Sequence, residues 1–193
     1  MIHNTFLSHF HTIIDPPNKE ELLDVCENGE LHEDQHFPWK QDCEVTLNRI
    51  SLASMSQQVL GPSIRLFFKE LETVEPCRII MCDAWRNTYN KGDFQEVHDH
   101  LPHHLSGVIF LDDYEDGFAR FYFHNRHHSE WSEQLSELLD LNSRFHVDGK
   151  RGQVLFFPSH MMHGVGIHRS DKQRRTVSFN IALELTDFTN DYS

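Results

Sequence analysis

The sequence predicts a mainly β protein, a jelly roll of two sheets supported by helices near its N-terminus. Two observations predict this class. Beyond about residue 76, short apolar runs alternate with turn-forming residues, and about eight of them have the character of strands. Before that point, apolar residues recur at helical spacing. We expect a single domain over residues 1–193, with 1–75 as mostly helical support and 76–193 as the β core.

The N-terminal region carries two helical patterns. Residues 19–25 follow the Pro16-Pro17 pair and are expected to form a short helix. Between Ser51 and Leu71, apolar side chains recur at the spacing of one helix face. Gly61-Pro62 lies inside this second run and is expected to break or kink it, because proline lacks the N–H donor that a helix interior needs. We expect these helices to pack against the outside of a sheet.

The strands follow in order along the rest of the chain. The turn Asn90-Lys91-Gly92-Asp93 separates the first two. An amphipathic segment at 129–141, interpreted as a short helix or lid, interrupts the later ones. The predicted strands are residues 78–89, 94–98, 105–111, 118–123, 145–147, 153–157, 164–167 and 174–185. Short strands separated by turns in this way are typical of a double-sheet jelly roll.

Composition and charge exclude several classes of partner. The net charge is −13, whereas proteins that bind nucleic acid non-specifically carry clustered Lys and Arg. The same acidity disfavours an anionic membrane surface, and no apolar run is long enough to span a bilayer. The N-terminus lacks the pattern of a secretion signal. These observations argue against nucleic acid and a membrane as partners, and we expect a cytoplasmic protein. A small molecule or a peptide is the expected substrate.

Three histidines have the spacing of a metal site. His98 and His100 lie at the end of a predicted strand, where residues two apart share a face and can chelate one ion. His163 follows a Phe-Phe-Pro-Ser segment and is expected on a facing strand. Imidazole ligands suit Fe(II), Zn, Ni or Cu. His98, His100 and His163 are the first choice of ligands. The alternatives are two histidines with water, or Asp99 as the third ligand.

The last predicted strand carries a polar face that begins with an arginine. The residues that share this face by alternation are Arg174, Thr176, Ser178 and Asn180. A cation directed into a barrel is costly unless it meets an anion, and arginine binds carboxylates in a bidentate manner. Arg174 is therefore the candidate anchor for the far carboxylate of a dicarboxylate such as 2-oxoglutarate. Arg175 takes this place if the register slips by one residue.

An earlier strand supplies further candidates for the same pocket. Trp85, Asn87 and Tyr89 alternate along it and share one face. Any of them can line a co-substrate pocket if that face points inward.

Together these segments resemble the 2-oxoglutarate- and iron(II)-dependent oxygenases, and among them the small oxygenases related to prolyl hydroxylases. The matching segments span about residues 85–183 and include His98-Asp99-His100, Leu105-Ser106-Gly107-Val108, Gly152–Ser159, His163 and Arg174–Asn180. The resemblance implies a double-stranded β-helix in which His98 and His163 bind iron and Arg174 anchors 2-oxoglutarate. It also implies that Ser178 and Asn180 face the same pocket.

Two positions depart from this family. His100 stands where many prolyl hydroxylases have an acidic ligand. Phe110 stands where they often carry a tyrosine that helps to hold the co-substrate, so Asn87 or Tyr89 is expected to supply that hydrogen bond instead.

The function implied by the resemblance is that of a dioxygenase. It uses Fe(II), 2-oxoglutarate and O2, and couples decarboxylation of 2-oxoglutarate to oxidation of a substrate C–H bond, giving a hydroxylated product. One alternative is a cupin-type metalloenzyme with three histidine ligands and no keto acid. The other is a non-enzymatic barrel that binds a metal or a partner.

Overall fold

The computed structural model describes residues 9–31, 46–55, 57–72, 78–126, 132–138 and 142–184. The helices in these residues are α1 (Lys19–Asn28), α2 (Gln57–Glu70) and α3 (Glu133–Leu138). The strands are β1 (Thr12–Ile14), β2 (Thr46–Arg49), β3 (Arg78–Tyr89), β4 (Gln95–His98), β5 (Leu105–Phe110), β6 (Phe121–His124), β7 (Arg144–Val147), β8 (Val154–Pro158), β9 (His163–Val165) and β10 (Arg174–Glu184).

Two antiparallel sheets form the body of the protein. One has six strands in the order β1-β8-β5-β10-β3-β2, and the other has four in the order β4-β9-β6-β7. Val108 and Phe110 of the first sheet share a buried cluster with Phe121 and Val165 of the second. The inner faces of the two sheets therefore pack on each other, as in a double-stranded β-helix. The predicted mainly β jelly roll is confirmed.

The helices α1 and α2 cover the outer face of the six-stranded sheet. Phe67 of α2 and Phe179 of β10 belong to the buried cluster between these layers. Arg86 of β3 fastens the end of α1, because its guanidinium donates to the Cys26 carbonyl at 3.0 and 2.7 Å and to the Glu27 carbonyl at 2.9 Å. These are carbonyls that the last turn of a helix leaves without partners.

The helix α2 continues through Pro62, so the predicted break is wrong. Leu60, Ile64 and Phe67 are buried along this helix. Each such side chain contributes about 1.5–3 kcal/mol when it leaves water. Their sum exceeds the roughly 3 kcal/mol that a proline costs inside a helix. Packing against the sheet therefore outweighs the local preference to end the helix.

The N-terminal region also contributes two strands that its sequence pattern did not predict. β1 pairs with β8 and β2 pairs with β3, so one lies at each edge of the six-stranded sheet. Runs of three or four residues are too short to show an alternation. The expected boundary between residues 75 and 76 lies outside the described residues. Within the residues that are described, no helix has the length and apolar character needed to cross a membrane.

Candidate metal and co-substrate site

Neighbouring strands bring three histidines together. His98 and His163 are paired residues of the antiparallel strands β4 and β9. His163 was expected on a facing strand, but it lies beside His98 in the same sheet. The ring of His100 lies 4.8 Å from that of His163 and 5.1 Å from that of His98, centroid to centroid. One ligand atom from each histidine lies within 4.8 Å of the others.

Each of the three imidazoles has its Nδ1 atom against an oxygen acceptor. The contacts join His98 Nδ1 to Glu96 O at 2.8 Å, His163 Nδ1 to Met161 O at 2.8 Å, and His100 Nδ1 to Asn180 Oδ1 at 2.7 Å. A carbonyl oxygen can only accept, so Nδ1 carries the proton and donates it. The lone pair of each neutral ring is then on Nε2, the atom that binds a metal in this tautomer.

The distances and the protonation states also fit a metal ion. The Nε2 atoms of His98 and His100 are 3.1 Å apart. Two ligands that bind one ion at about 2.1 Å, at right angles, are separated by about 3.0 Å. Burial is the main cause that lowers the pKa of His98 to about 4, that of His100 below its usual value and that of His163 well below it. The three rings are therefore neutral at pH 7 and able to bind a cation.

Arg174 is buried and forms no ion pair with a described carboxylate, although Asp112 and Asp148 favour its charged form. It is 5% exposed, and its guanidinium carbon lies 5.4 Å from the ring centroid of Tyr89, its cross-strand partner. Its Nη1 atom has no hydrogen-bond partner among the described residues. Burial lowers the pKa of Arg174, but an arginine remains charged at pH 7. A buried guanidinium that has a nitrogen without a hydrogen-bond partner indicates a site for an anion.

One cavity joins the histidines to the arginine. It is lined by His98, His100, His163 and Arg174. Its other polar walls are Tyr89, Gln95, Thr176 and Ser178, and its apolar walls are Trp85, Val108, Phe121, Phe157 and Val165. The cavity therefore brings together candidate metal ligands and a candidate carboxylate anchor, the two features that a chelating keto acid with a second carboxylate requires.

The segment that builds this cavity matches a family model. That model is described as "Putative 2OG-Fe(II) oxygenase" and matches residues 83–180, about half of the chain. The chain belongs to this family of oxygenases. Membership favours the keto-acid-dependent enzyme over the cupin-type and non-enzymatic alternatives. None of the curated proteins matches the chain.

Several solved structures share the fold of this oxygenase. An oxidoreductase of the 2OG-Fe(II) oxygenase family from Burkholderia pseudomallei has a TM-score of 0.61 at 13% identity, over 89% of this chain and 84% of that one. HygX from Streptomyces hygroscopicus, with nickel and 2-oxoglutarate bound, has a TM-score of 0.58 at 14% identity, over 91% and 84%. A prolyl-4-hydroxylase from Pseudomonas putida has a TM-score of 0.61 at 11% identity, over 92% and 94%.

The other metal-ligand candidate, Asp99, lies outside the histidine group of the oxygenase. Its Oδ1 atom accepts the backbone N–H of Leu101 at 3.1 Å. The strand β4 ends at His98, so Asp99 lies in the segment that follows, where its carboxylate supports the turn.

The predicted co-substrate residues divide into two groups. Arg174, Ser178 and Tyr89 line the cavity. Asn87 and Asn180 lie behind it, where they bind other side chains instead. Asn87 Nδ2 donates to Thr176 Oγ1 at 3.1 Å and to Ser178 Oγ at 2.9 Å, and Asn180 contacts His100.

At the start of β10, Arg174 lies opposite Tyr89 and lines the cavity, so the alternative assignment to Arg175 is wrong. The Nη2 atom of Arg175 lies 2.8 Å from Asp112 Oδ1.

Two residues near the site were missed by sequence reasoning. Gln95 lines the cavity, and its Oε1 atom accepts the Tyr89 hydroxyl at 2.8 Å. No sequence pattern distinguishes this glutamine from an ordinary strand residue. Asp83 lies behind His100 and binds Asn180. The alternation of Trp85 with Asn87 and Tyr89, continued by one step toward the N-terminus, places Asp83 on the same face and could have found it.

Proposed function

We propose that this oxygenase is a hydroxylase that binds iron(II) through Nε2 of His98, His100 and His163, and 2-oxoglutarate between that metal and Arg174. One observation carries the proposal: three neutral imidazoles and a buried guanidinium with an unpaired nitrogen line the same cavity. When bound, iron(II) and 2-oxoglutarate supply the activation of O2 and the oxidation of a substrate C–H bond, coupled to decarboxylation of 2-oxoglutarate.

Asn87 prepares a carboxylate subsite next to Arg174. Its Nδ2 group donates to the hydroxyl oxygens of Thr176 and Ser178. Each hydroxyl oxygen therefore acts as an acceptor toward Asn87 and keeps its own hydrogen for another partner. Both hydroxyls line the cavity, as Arg174 does. The subsite thus combines a guanidinium with two hydroxyl donors, a set that suits a carboxylate.

The apolar walls exclude water from the site. Trp85, Phe121 and Phe157 line the cavity beside the histidines, and each of them is buried. A water-poor cavity strengthens the attraction between Arg174 and a carboxylate, because the local dielectric is low. It also shields the reacting groups from side reactions with water.

We infer that the substrate is a small molecule or one side chain of a peptide. Most of the side chains that line the cavity are buried, so we expect it to admit only a small group beside the co-substrate. Among the structural neighbours, HygX has been crystallised with hygromycin B, and another neighbour is a prolyl-4-hydroxylase.

A matched pair of histidine variants tests the metal site. His160 precedes β9 by three residues and lies outside the histidine group, so His160→Ala controls for the loss of a nearby imidazole. We expect the wild type and His160→Ala to bind one iron(II) under anaerobic conditions and to form succinate from 2-oxoglutarate in air. His163→Ala should lose more affinity than the roughly 10–100-fold that an outer-shell change costs. Stoichiometric iron in His163→Ala would contradict the ligand assignment.

Product analysis tests the hydroxylase assignment. The wild type is incubated with iron(II), 2-oxoglutarate and pools of small metabolites or peptides, and the products are analysed by mass spectrometry. Hydroxylation predicts the gain of one oxygen atom, which comes from labelled O2, in a compound whose oxidation parallels succinate formation. A product formed without oxygen gain, by desaturation or by epimerisation, would contradict it.

A further inference from the structure

A row of polar side chains crosses the six-stranded sheet behind His100. Asn180 of β10 is the direct cross-strand partner of Asp83 on β3 and of Ser106 on β5. Directly opposed residues of neighbouring strands have their side chains on the same face. The register of β10 against β3 shifts between Asn180 and Ile181, and such irregularities redirect side chains near active sites.

Asn180 joins a carboxylate to a candidate metal ligand. Its Nδ2 atom donates to Asp83 Oδ1 at 2.8 Å. Its Oδ1 atom accepts the Nδ1–H of His100 at 2.7 Å and the hydroxyl of Ser106 at 2.7 Å. Asn180 is 4% exposed and Ser106 is fully buried, which protects the bond between them from water, whereas the Asp83 side chain is 23% exposed. All the polar atoms of the Asn180 amide thus point toward named partners.

The direction of the hydrogen bonds has a chemical consequence. The Asp83 carboxylate attracts the Nδ2–H of Asn180, which makes the amide oxygen more negative and a stronger acceptor for His100. A stronger acceptor at Nδ1 fixes the ring in the tautomer with its lone pair on Nε2 and raises the basicity of that atom. The other carboxylate oxygen of Asp83, Oδ2, lies 3.8 Å from His103 Nε2. Oδ1 is therefore available to accept the hydrogen bond from Asn180.

We propose that Asp83 and Asn180 are positioning residues that fix His100 as the third metal ligand, with Asp83 supplying through Asn180 the negative charge that a directly bound carboxylate would bring. The proposal rests on the proposed function, because it takes His100 as a ligand. His100 occupies the position at which related enzymes often have an acidic ligand, and three neutral imidazoles provide no negative charge. The Asp83–Asn180–His100 relay places a carboxylate one amide group behind the metal site.

Nitrogen NMR of the metal-free full-length chain tests whether Asn180 fixes the tautomer of His100. At neutral pH, long-range proton–nitrogen spectra of the imidazoles report which nitrogen of each ring is protonated. We expect the Nδ1–H tautomer for His100 in the wild type and a mixture of tautomers in Asn180→Ala. His98 and His163 should not change in that variant, because their Nδ1 acceptors are backbone carbonyls.

Cobalt(II) titration tests whether Asn180 and Asp83 contribute to metal affinity. Asn180→Ala should lower cobalt affinity by about 10–100-fold, the usual cost of removing an outer-shell partner. Asp83→Asn keeps the shape of the side chain and removes its charge, so we expect a loss of up to about tenfold, with a shift of the cobalt d–d absorption bands. Glu184→Gln is the control. It removes a carboxylate from the same pair of strands, where Glu184 binds Arg78 at 3.0 Å, and should match the wild type.

The outcomes separate the relay from the proposed function. Unchanged affinity and absorption bands in both relay variants, with His100 still in the Nδ1–H tautomer, would overturn the relay and leave the metal site in place. If the wild type binds neither cobalt nor iron, the proposed function is overturned. The proposed role of the relay in metal binding is then overturned as well. If Asn180→Ala does not fold, Asp83→Asn decides, and an unchanged cobalt affinity and spectrum in that variant would overturn the relay.

Discussion

Arg174 and Arg175 are consecutive residues of β10 whose guanidinium groups lie on opposite faces of the six-stranded sheet. Arg174 is buried, and its Nη1 atom finds no partner within the described parts of the chain. Arg175 lies 2.8 Å from Asp112 and 3.2 Å from Glu27, the latter in α1. Arg174 lines the cavity with its Nη1 atom unpaired among the described residues, and Arg175 joins a helix to the sheet.

Replacing Arg174 should separate function from stability. Arg174→Gln removes the proposed donor pair for the far carboxylate of 2-oxoglutarate, so we expect the KM for 2-oxoglutarate to rise by about 100-fold or more. The free energy of unfolding should stay the same or rise, because an unmatched buried charge is lost. Steady-state kinetics and urea denaturation measure the two effects.

Arg175→Gln is the matched control and should behave in the opposite way. It loses a partly exposed ion pair, so we expect about 1 kcal/mol less stability. Its KM for 2-oxoglutarate should stay within twofold of the wild type. A large rise in KM for Arg175→Gln with none for Arg174→Gln would show that the anchor has been assigned to the wrong arginine.

The third ligand can be decided by comparing two neighbouring residues. Asp99→Asn keeps an oxygen that can accept the Leu101 N–H, so iron affinity should not change. His100→Ala removes an Nε2 atom from the group, and affinity should fall by more than about tenfold. Anaerobic iron(II) titration measures both. The reverse ranking of the two variants would make Asp99 the ligand.

The buried histidines should make the metal-free protein sensitive to acid. Burial holds the pKa of His98 at about 4 and lowers those of His100 and His163, whereas an unfolded histidine has a pKa of about 6.5. Between these values the unfolded chain binds more protons than the folded one. The contribution to stability is therefore complete above pH 6.5 and is lost as the pH falls toward 4.

Urea denaturation of the metal-free protein at several pH values measures this effect. Each histidine contributes a slope of up to about 1.4 kcal/mol per pH unit in this range. His98→Asn removes one titrating group. The slope of the free energy of unfolding against pH should therefore fall by up to about 1.4 kcal/mol per pH unit. A free energy of unfolding that does not change from pH 6.5 down to 5 would contradict the lowered pKa values.

His168 is expected to be structural. It is fully buried, its Nδ1 atom accepts the N–H of Ala119 at 3.0 Å, and its Nε2–H donates to the Lys172 carbonyl at 2.7 Å. His168→Phe keeps most of the volume but leaves both backbone groups without this partner, which should cost about 2–4 kcal/mol. Urea denaturation checks the value, and iron affinity should be unchanged.

The neighbouring Ile167 provides the control for that variant. It is 57% exposed, so Ile167→Ala should change the free energy of unfolding by no more than about 0.5 kcal/mol. Equal losses in the two variants would mean that the loop is sensitive to any change and that the hydrogen bonds of His168 are not the cause.

The parts of the fold that depend on local geometry could be predicted from the sequence. Alternation along a strand is local, so the shared face of Arg174 and Ser178 followed directly from their spacing. The long α2 pattern was also recognised. Its continuity through Pro62 was not, because that depends on burial against a sheet whose position the helix sequence does not show.

The contacts that depend on strand order and register could not be predicted. His163 lies beside His98 because β9 is the neighbour of β4, a pairing between distant parts of the chain. Asn180 has the same alternation as Ser178, yet it contacts His100 and not the cavity. Its position at the register shift, opposite Asp83, decides this, and no local pattern encodes that pairing.

We propose that one cavity holds both iron(II) and 2-oxoglutarate. The most direct test is to reconstitute the protein anaerobically with iron(II), add 2-oxoglutarate and record the visible absorption spectrum. We predict a weak charge-transfer band that saturates with 2-oxoglutarate, is absent in His163→Ala, and in Arg174→Gln needs about 100-fold more 2-oxoglutarate. Stoichiometric iron that gives no such band at any 2-oxoglutarate concentration would contradict the account.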